Sequence, residues 1–251
     1  MKKINRKNDL QIKSKERVKN LAEVFTNQRE VNAMLDLIEE EHFIKKTSIS
    51  TFNINTTYLE PACGNGNFLI NILNRKLNTI FKKYENKKLN KKYIKLIMKD
   101  IFIALSTIYA IDISIENINE TKKRLKELIF NRIDIENIMN LKKLGKFNQD
   151  NYISTSFFSL LENKSNFIIY QNYHNNLLSF FNSIDYVLNK NIILGDSLNK
   201  QDEIYFSQFN FLKNGSHFFI EKIYNYKELE KDEKVQIPFK ILKEKNFLKI
   251  S

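Results

Sequence analysis

The sharpest chemical feature of the chain is Glu60-Pro61-Ala62-Cys63-Gly64-Asn65-Gly66, an acid followed by two glycines one residue apart. Glycine has no Cβ, so a turn of this kind lets a ligand lie against the backbone. A helix starting after it offers unpaired N–H groups and the positive end of its dipole. Gly66 is followed by Asn67-Phe68, not by the Lys-Ser/Thr of a P-loop. Leu69 stands where a dinucleotide fingerprint has its third glycine. The acid ahead of the turn suits a ligand with an ammonium group and is ill suited to a pyrophosphate. Two more acids follow short apolar runs: Asp112 after Ile108-Tyr109-Ala110-Ile111, and Asp196 after Ile192-Ile193-Leu194-Gly195. A carboxylate at a strand end can accept the paired hydroxyls of a ribose, and another can accept the exocyclic amine of a base. Taken singly, either acid is also an ordinary cap or turn residue. Their order behind three strands is what gives them weight.

These residues need strands to carry them and helices to pack behind. Thr56 to Leu59 is β-prone and runs into the glycine turn. After it, Phe68, Leu69, Ile72, Leu73 and Leu77 recur with helical spacing. Ahead of it, Val31, Met34, Leu35 and Ile38 mark an amphipathic helix over 28–41, with Thr26 or Asn27 as its cap. Residues 75–100 read as helical and very basic, Ile108 to Ile113 as a buried strand, and Glu116 to Phe130 as the next helix. Residues 131–187 are polar, Asn-rich and aromatic and read as a mostly helical insertion. Beyond Asp196, the runs at 204–206, 217–220 and 237–241 hold two or three strands. The expected organisation is a basic N-terminal arm over 1–22 and one α/β domain over 23–251, its sheet twisted and mostly parallel.

Composition sets outer limits. The chain has 251 residues with 42% hydrophobic side chains, enough for a sizeable core. It has no apolar run long enough for a membrane span and no secretory signal at Met1 to Asn20. One cysteine, Cys63, allows no internal disulfide and suits a cytoplasmic setting. His42, His174 and His217 stand far apart, so no metal site is expected. The net charge of +12 points to a polyanion such as nucleic acid. AT-rich coding yields the same Lys- and Asn-rich usage, so charge alone does not decide. The aromatics Tyr152, Phe157, Phe158, Phe167, Tyr170 and Tyr173 read as core more readily than as a base-stacking platform.

The segment Thr57-Tyr58-Leu59-Glu60-Pro61-Ala62-Cys63-Gly64-Asn65-Gly66-Asn67-Phe68-Leu69 resembles the S-adenosyl-L-methionine (AdoMet) motif of the adenine-specific DNA methyltransferases of restriction–modification systems. Glu16 to Asn27 resembles their upstream motif, and Tyr109 to Asp112 and Asn191 to Ser197 resemble their second and third cofactor motifs. The resemblance covers roughly 14–125 and 188–215. It implies a Rossmann-like class I methyltransferase fold with AdoMet as cofactor and DNA as partner. Glu60 would hold the methionine ammonium and Thr26 its carboxylate, with Phe25 beside the cofactor. Pro61, Ala62, Cys63, Gly64 and Gly66 would form the bend on which the methionine lies. Asp112 would take the ribose, Ile113 would pack on the adenine and Asp196 would bind its N6. Ala22 and Asn27 replace the family's usual Gly and Pro.

One part of the family pattern is missing. The exocyclic amine of adenine is a weak nucleophile, and the family engages it with an Asn/Asp-Pro-Pro-Tyr/Phe loop after a fourth strand. The only prolines here are Pro61 and Pro238, so no such loop exists. Gln236-Ile237-Pro238-Phe239 is the nearest imitation, and an ordinary edge segment is the better reading of it. The catalytic residues are therefore left open. Three expectations follow: a second polypeptide carries the catalytic loop, the gene is truncated or decayed, or the protein binds AdoMet and DNA without methylating. A small-molecule or RNA methyltransferase is a further alternative.

Overall fold

The computed structural model describes residues 26–46, 49–85, 87, 91–133, 167–199, 203–212, 217–229 and 237–250. Phe25, Gln236 and the basic arm over 1–22 lie outside them, as do Tyr152, Phe157 and Phe158. Helix α1 (Gln28–Lys45) is capped by Asn27, whose side chain accepts the Arg29 N–H, and it ends at Lys46 in the left-handed region. Then come β1 (Tyr58–Glu60), α2 (Asn67–Tyr84), α3 (Lys91–Ser106), β2 (Ile108–Asp112), α4 (Ile115–Arg132), α5 (Phe167–Asn191) and β3 (Ile192–Leu194). The last part holds β4 (Tyr205–Phe211), β5 (Phe218–Asn225), the short α6 (Tyr226–Leu229), β6 (Lys240–Ile241), β7 (Lys245–Asn246) and a 3-10 turn at Phe247–Lys249.

The protein is mixed α/β with two sheets. In the first, β1, β2 and β3 lie side by side and parallel, with Glu60 opposite Ala110 and Asp112 opposite Leu194. In the second, β5 pairs antiparallel with β4, β6 and β7. The expectation of a mostly parallel sheet holds for β1 to β3 only. After Asp196, the seven-residue β4 and eight-residue β5 pair antiparallel with each other, and the two-residue β6 and β7 add to β5.

Each sheet is buried by helices. On α2, Leu69, Ile72, Leu73, Leu77 and Ile80 are buried, the inward stripe of an amphipathic helix. Helices α3 and α5 touch both sheets. Phe102 of α3 has the rings of Phe209, Phe211, Phe219 and Phe247 at 5.4–5.5 Å. The segment read as an insertion ends in α5, and Phe180, Phe181, Ile184, Val187 and Leu188 of that helix belong to the main core. Polar bonds join the sheets. Tyr109 of β2 donates to the Ser207 carbonyl at 3.2 Å, and Asn191 links the Ser106 carbonyl to the Ser207 N–H. The fully buried Glu221 carboxylate accepts from Tyr186, from Ser207 Oγ at 2.7 Å and from Lys245 Nζ at 3.3 Å, so its burial is compensated.

Two cations of the very basic stretch at 75–100 are buried. Arg75 is buried and bonds Asp36, the Asn32 carbonyl and Thr51 Oγ1, tying α1 and the loop before β1 to α2. Lys76 is fully buried at the amino-terminal edge of the parallel sheet, where its Nζ donates to the Thr56 carbonyl at 2.6 Å and to Thr107 Oγ1. Burial pulls the Lys76 ammonium down to about 7. Between that value and the ordinary 10.5, the unfolded chain holds a proton that the folded chain lacks, so stability rises with pH across the window. Urea unfolding between pH 7 and 9 is expected to show this rise, and Lys76→Met to lower its slope by about 1 kcal/mol per pH unit. Identical slopes in both proteins would show that Lys76 stays charged in the fold.

Candidate functional site

The three acids singled out in the sequence stand at the carboxyl ends of adjacent parallel strands. Glu60 closes β1, Asp112 closes β2, and Asp196 follows β3 by two residues. Ligands in open α/β sheets bind at this edge. Between β1 and α2 the chain turns through Gly64 at φ 53° and Gly66 at φ 80°, both in the left-handed region that glycine tolerates. Gly66 caps α2 without a side chain, so the first N–H groups of the helix face the turn unassisted.

Asp112 is the hub of the arrangement. Its Oδ2 accepts the Gly64 N–H at 2.7 Å, and its Oδ1 accepts the Ser114 N–H at 2.8 Å and Asn117 Nδ2 at 3.2 Å. The residue is only 8% exposed. A carboxylate has about four acceptor positions, so one remains on Oδ2. In this state Asp112 can take one further donor, not both hydroxyls of a ribose. Ile113 beside it is 61% exposed, and Leu194, level with Asp112 on β3, is 49% exposed. These two form an apolar ledge at the strand ends.

Glu60 is half-buried. Burial pushes its carboxyl above the usual range, and the Ala62 N–H only partly offsets the shift. Among the described residues it has no cationic partner. A desolvated carboxylate without a cation fits an ammonium ligand. Pro61 and Ala62 are exposed on the turn, whereas Cys63 is buried. The Cys63 N–H bonds the Ile111 carbonyl at 3.0 Å, extending the β1–β2 pairing into the turn. Burial, helped by the Asp112 charge, pushes the Cys63 thiol up to about 12, which leaves it unreactive. Asp196 is half-buried, and its Oδ1 accepts the Leu198 N–H at 2.9 Å.

Thr26 is brought to the same place. Its carbonyl accepts Asn67 Nδ2 at 2.8 Å, which sets the entry to α1 beside the first residue of α2. Gln236 and Phe25 are outside the described residues. Phe239 is exposed and lies 5.0 Å from the Tyr205 ring. No described contact joins it to the glycine turn.

Three residues of this site were not singled out in the sequence. Thr121 Oγ1 donates to the Gly64 carbonyl at 3.1 Å, and Arg124 Nη1 donates to the Asn65 carbonyl and to Asn67 Oδ1. Together they clamp the turn from α4, while Asn67 links it to Thr26. Asn117, Thr121 and Arg124 recur at helical spacing on a face whose other members, Ile118 and Leu125, are core. Polar residues on an otherwise apolar stripe were the available signal.

No strand pairs with the outer edge of β1 among the described residues. The Tyr58 N–H bonds the Thr107 carbonyl, so in the alternating parallel ladder Leu59 turns its N–H and C=O away from β2. Among the described residues no group of His, Cys, Asp and Glu could hold a metal, and no helix is long and apolar enough to cross a membrane. No family model, curated protein or solved structure matches the chain.

The clamp is open to test. A Cβ on Gly66 would lie 2.8 Å from both Thr121 Cγ2 and Oγ1, at a φ that L-residues adopt at a cost. Gly66→Ala is expected to lower urea stability by about 1–3 kcal/mol. Adding Thr121→Ala should recover the steric share. Equal losses for Gly66→Ala with Thr and with Ala at 121 would dismiss the contact.

Proposed function

We propose that the chain binds AdoMet at the carboxyl edge of β1–β3 and is the cofactor-binding module of an adenine-N6 DNA methyltransferase. The observation that carries this reading is the placement of Glu60, Asp112 and Asp196 on three neighbouring strand ends around the Gly64–Gly66 bend. Glu60, desolvated and without a cation, suits the methionine ammonium. The remaining acceptor position on Asp112 suits one ribose hydroxyl, and the Ile113 ledge suits the face of adenine. The Thr26 segment lies beside the first turn of α2, where a methionine carboxylate would meet helix N–H groups.

What AdoMet supplies is an activated methyl group, so transfer needs mainly alignment of the target amine. The chain has no Pro-Pro loop, and no described strand flanks β1 to carry one. These two observations favour a module that holds cofactor and leaves the target amine to another polypeptide. The rival reading is a regulator that binds nucleic acid with the methyl-transfer step lost.

Calorimetry with AdoMet tests the first claim. The wild-type chain should bind, and Glu60→Gln, which keeps shape and the Ala62 contact, should weaken binding by about tenfold. Equal affinity in the two proteins would refute the assignment of Glu60. Incubation with labelled AdoMet and adenine-containing duplex should leave the DNA unlabelled by the lone chain and labelled once the neighbouring gene product is added. N6-labelled adenine from the lone chain would refute the division of labour, and no label in either case would support the regulator.

A further inference from the structure

Asn67, the first residue of α2, bonds two neighbours of fixed polarity. Arg124 of α4 has only donors to offer, and its Nη1 donates to Asn67 Oδ1 at 2.9 Å and to the Asn65 carbonyl. The Thr26 carbonyl can only accept, and Asn67 Nδ2 donates to it at 2.8 Å. The amide is therefore held one way round, with its oxygen toward α4 and its nitrogen toward the segment entering α1. An aspartate here would keep the Arg124 contact and set a second acceptor against the Thr26 carbonyl. A leucine of similar shape would make neither bond.

A second link lies one turn further along α2. Asn71 is buried, its Nδ2 donates to the Asn67 carbonyl at 2.8 Å, and its Oδ1 accepts Gln28 Nε2. The entry to α1 is thus tied to the first turn of α2 through Thr26 and Gln28. The body of α1 has anchors of its own: Val31 and Leu35 are buried, and Arg75 holds Asp36 and the Asn32 carbonyl. The Asn67 bond therefore governs where the Thr26 end sits, while the body of α1 is packed by other contacts.

We propose that Asn67, oriented by Arg124, is a positioning residue for the amino-acid end of AdoMet. It fixes the spacing between the Thr26 segment and the glycine bend, the two walls between which the methionine carboxylate and ammonium lie in the reading above. This inference rests on that reading of the chain as an AdoMet-binding module. Asn67 acts through its neighbours and needs no contact with the ligand. Walls set in advance spare the ligand the cost of ordering them. A change in their spacing weakens contacts at the methionine end and leaves those of the nucleoside, at Asp112 and Ile113, unaltered.

Calorimetry on the full-length chain tests it with two ligands: AdoMet, and methylthioadenosine, which keeps the nucleoside and lacks the amino-acid end. Asn67→Asp and Asn67→Leu should each bind AdoMet about tenfold more weakly and bind methylthioadenosine as the wild type does. Asn67→Asp should keep the wild-type urea midpoint, because its Arg124 contact becomes charge-assisted and an acid suits the first turn of a helix. In the ligand-free protein, amide hydrogen exchange should quicken over 26–30 in both variants. Arg124→Met should lose AdoMet affinity as Asn67→Leu does. Arg124→Lys should restore it, since both Arg124 bonds leave one nitrogen that an ammonium can replace. Wild-type AdoMet affinity in the Asn67 variants, or unchanged exchange over 26–30, would overturn the proposal. A loss confined to Asn67→Asp would reduce the effect to repulsion of the methionine carboxylate and overturn it too. Equal losses for both ligands, or a urea midpoint of Asn67→Asp that falls with the affinity, would make Asn67 a general stabiliser of the fold and remove its positioning role. Failure of the wild-type chain to bind AdoMet would overturn the reading of the site itself, and this role with it.

Discussion

The carboxylate of Asp112 determines the form of the strand edge. By accepting the Gly64 N–H from one turn and the Ser114 N–H and Asn117 amide from the next, it joins the two βα connections that a ligand would have to bridge. A buried carboxylate needs such donors to offset its desolvation, and two of the three come from backbone. The need runs both ways. The Gly64 N–H can point at Asp112 because Gly64 adopts a positive φ, and Ser114 starts α4 where its N–H meets Oδ1. The outward position of Ile113 follows from the same geometry, since Asp112 turns in and its neighbour on a strand end turns out.

The glycine turn is held by a second set of contacts from the other side. Thr121 and Arg124 grip its carbonyls from α4, and Asn67 passes the connection to Thr26. The bend is thus shaped before any ligand arrives, and binding to a preformed bend avoids the entropic cost of ordering it. Glu60 is left outside both sets of bonds. Of the three acids at the strand ends, it is the one whose burial is offset, among the described residues, only by the Ala62 N–H.

Some of this was legible in the sequence. The strand, glycine turn and helix at 58–84 follow from short-range rules: alternation, positive-φ glycines and a 3.6-residue apolar stripe. The same rules place Asp112 at a strand end. They say nothing of where its acceptor positions are spent, because Gly64 is 48 residues away in the chain. Lys76 illustrates a different limit. In a very basic stretch that starts at Arg75 it carries no local mark of burial, and only the fold shows that it closes the amino-terminal ends of β1 and β2. The second sheet was legible as strands but not as a separate sheet. Pairing partners depend on side-chain contacts such as Phe102 with Phe209 and Phe219, which no local pattern encodes. For α5, the polar and aromatic mixture of 131–187 concealed a core stripe at Phe180, Ile184, Val187 and Leu188.

Holding a sulfonium cofactor and delivering its methyl group are separable tasks in a parallel sheet. The first needs strand ends that present acids and a bend open to the backbone, and β1 to β3 carry both features. The second needs a further element beside β1, close enough to place an amine in line with the methyl group. Among the described residues, none after β3 extends the parallel sheet. The strands after it form an antiparallel sheet that packs through Phe102 and Tyr109 and leaves the backbone of Leu59 facing outward. An edge strand with unpaired groups is a template for another strand. Under the proposed reading, the position where a transfer loop would have to be supported is the edge of β1 that no described strand covers, and a second polypeptide would add there.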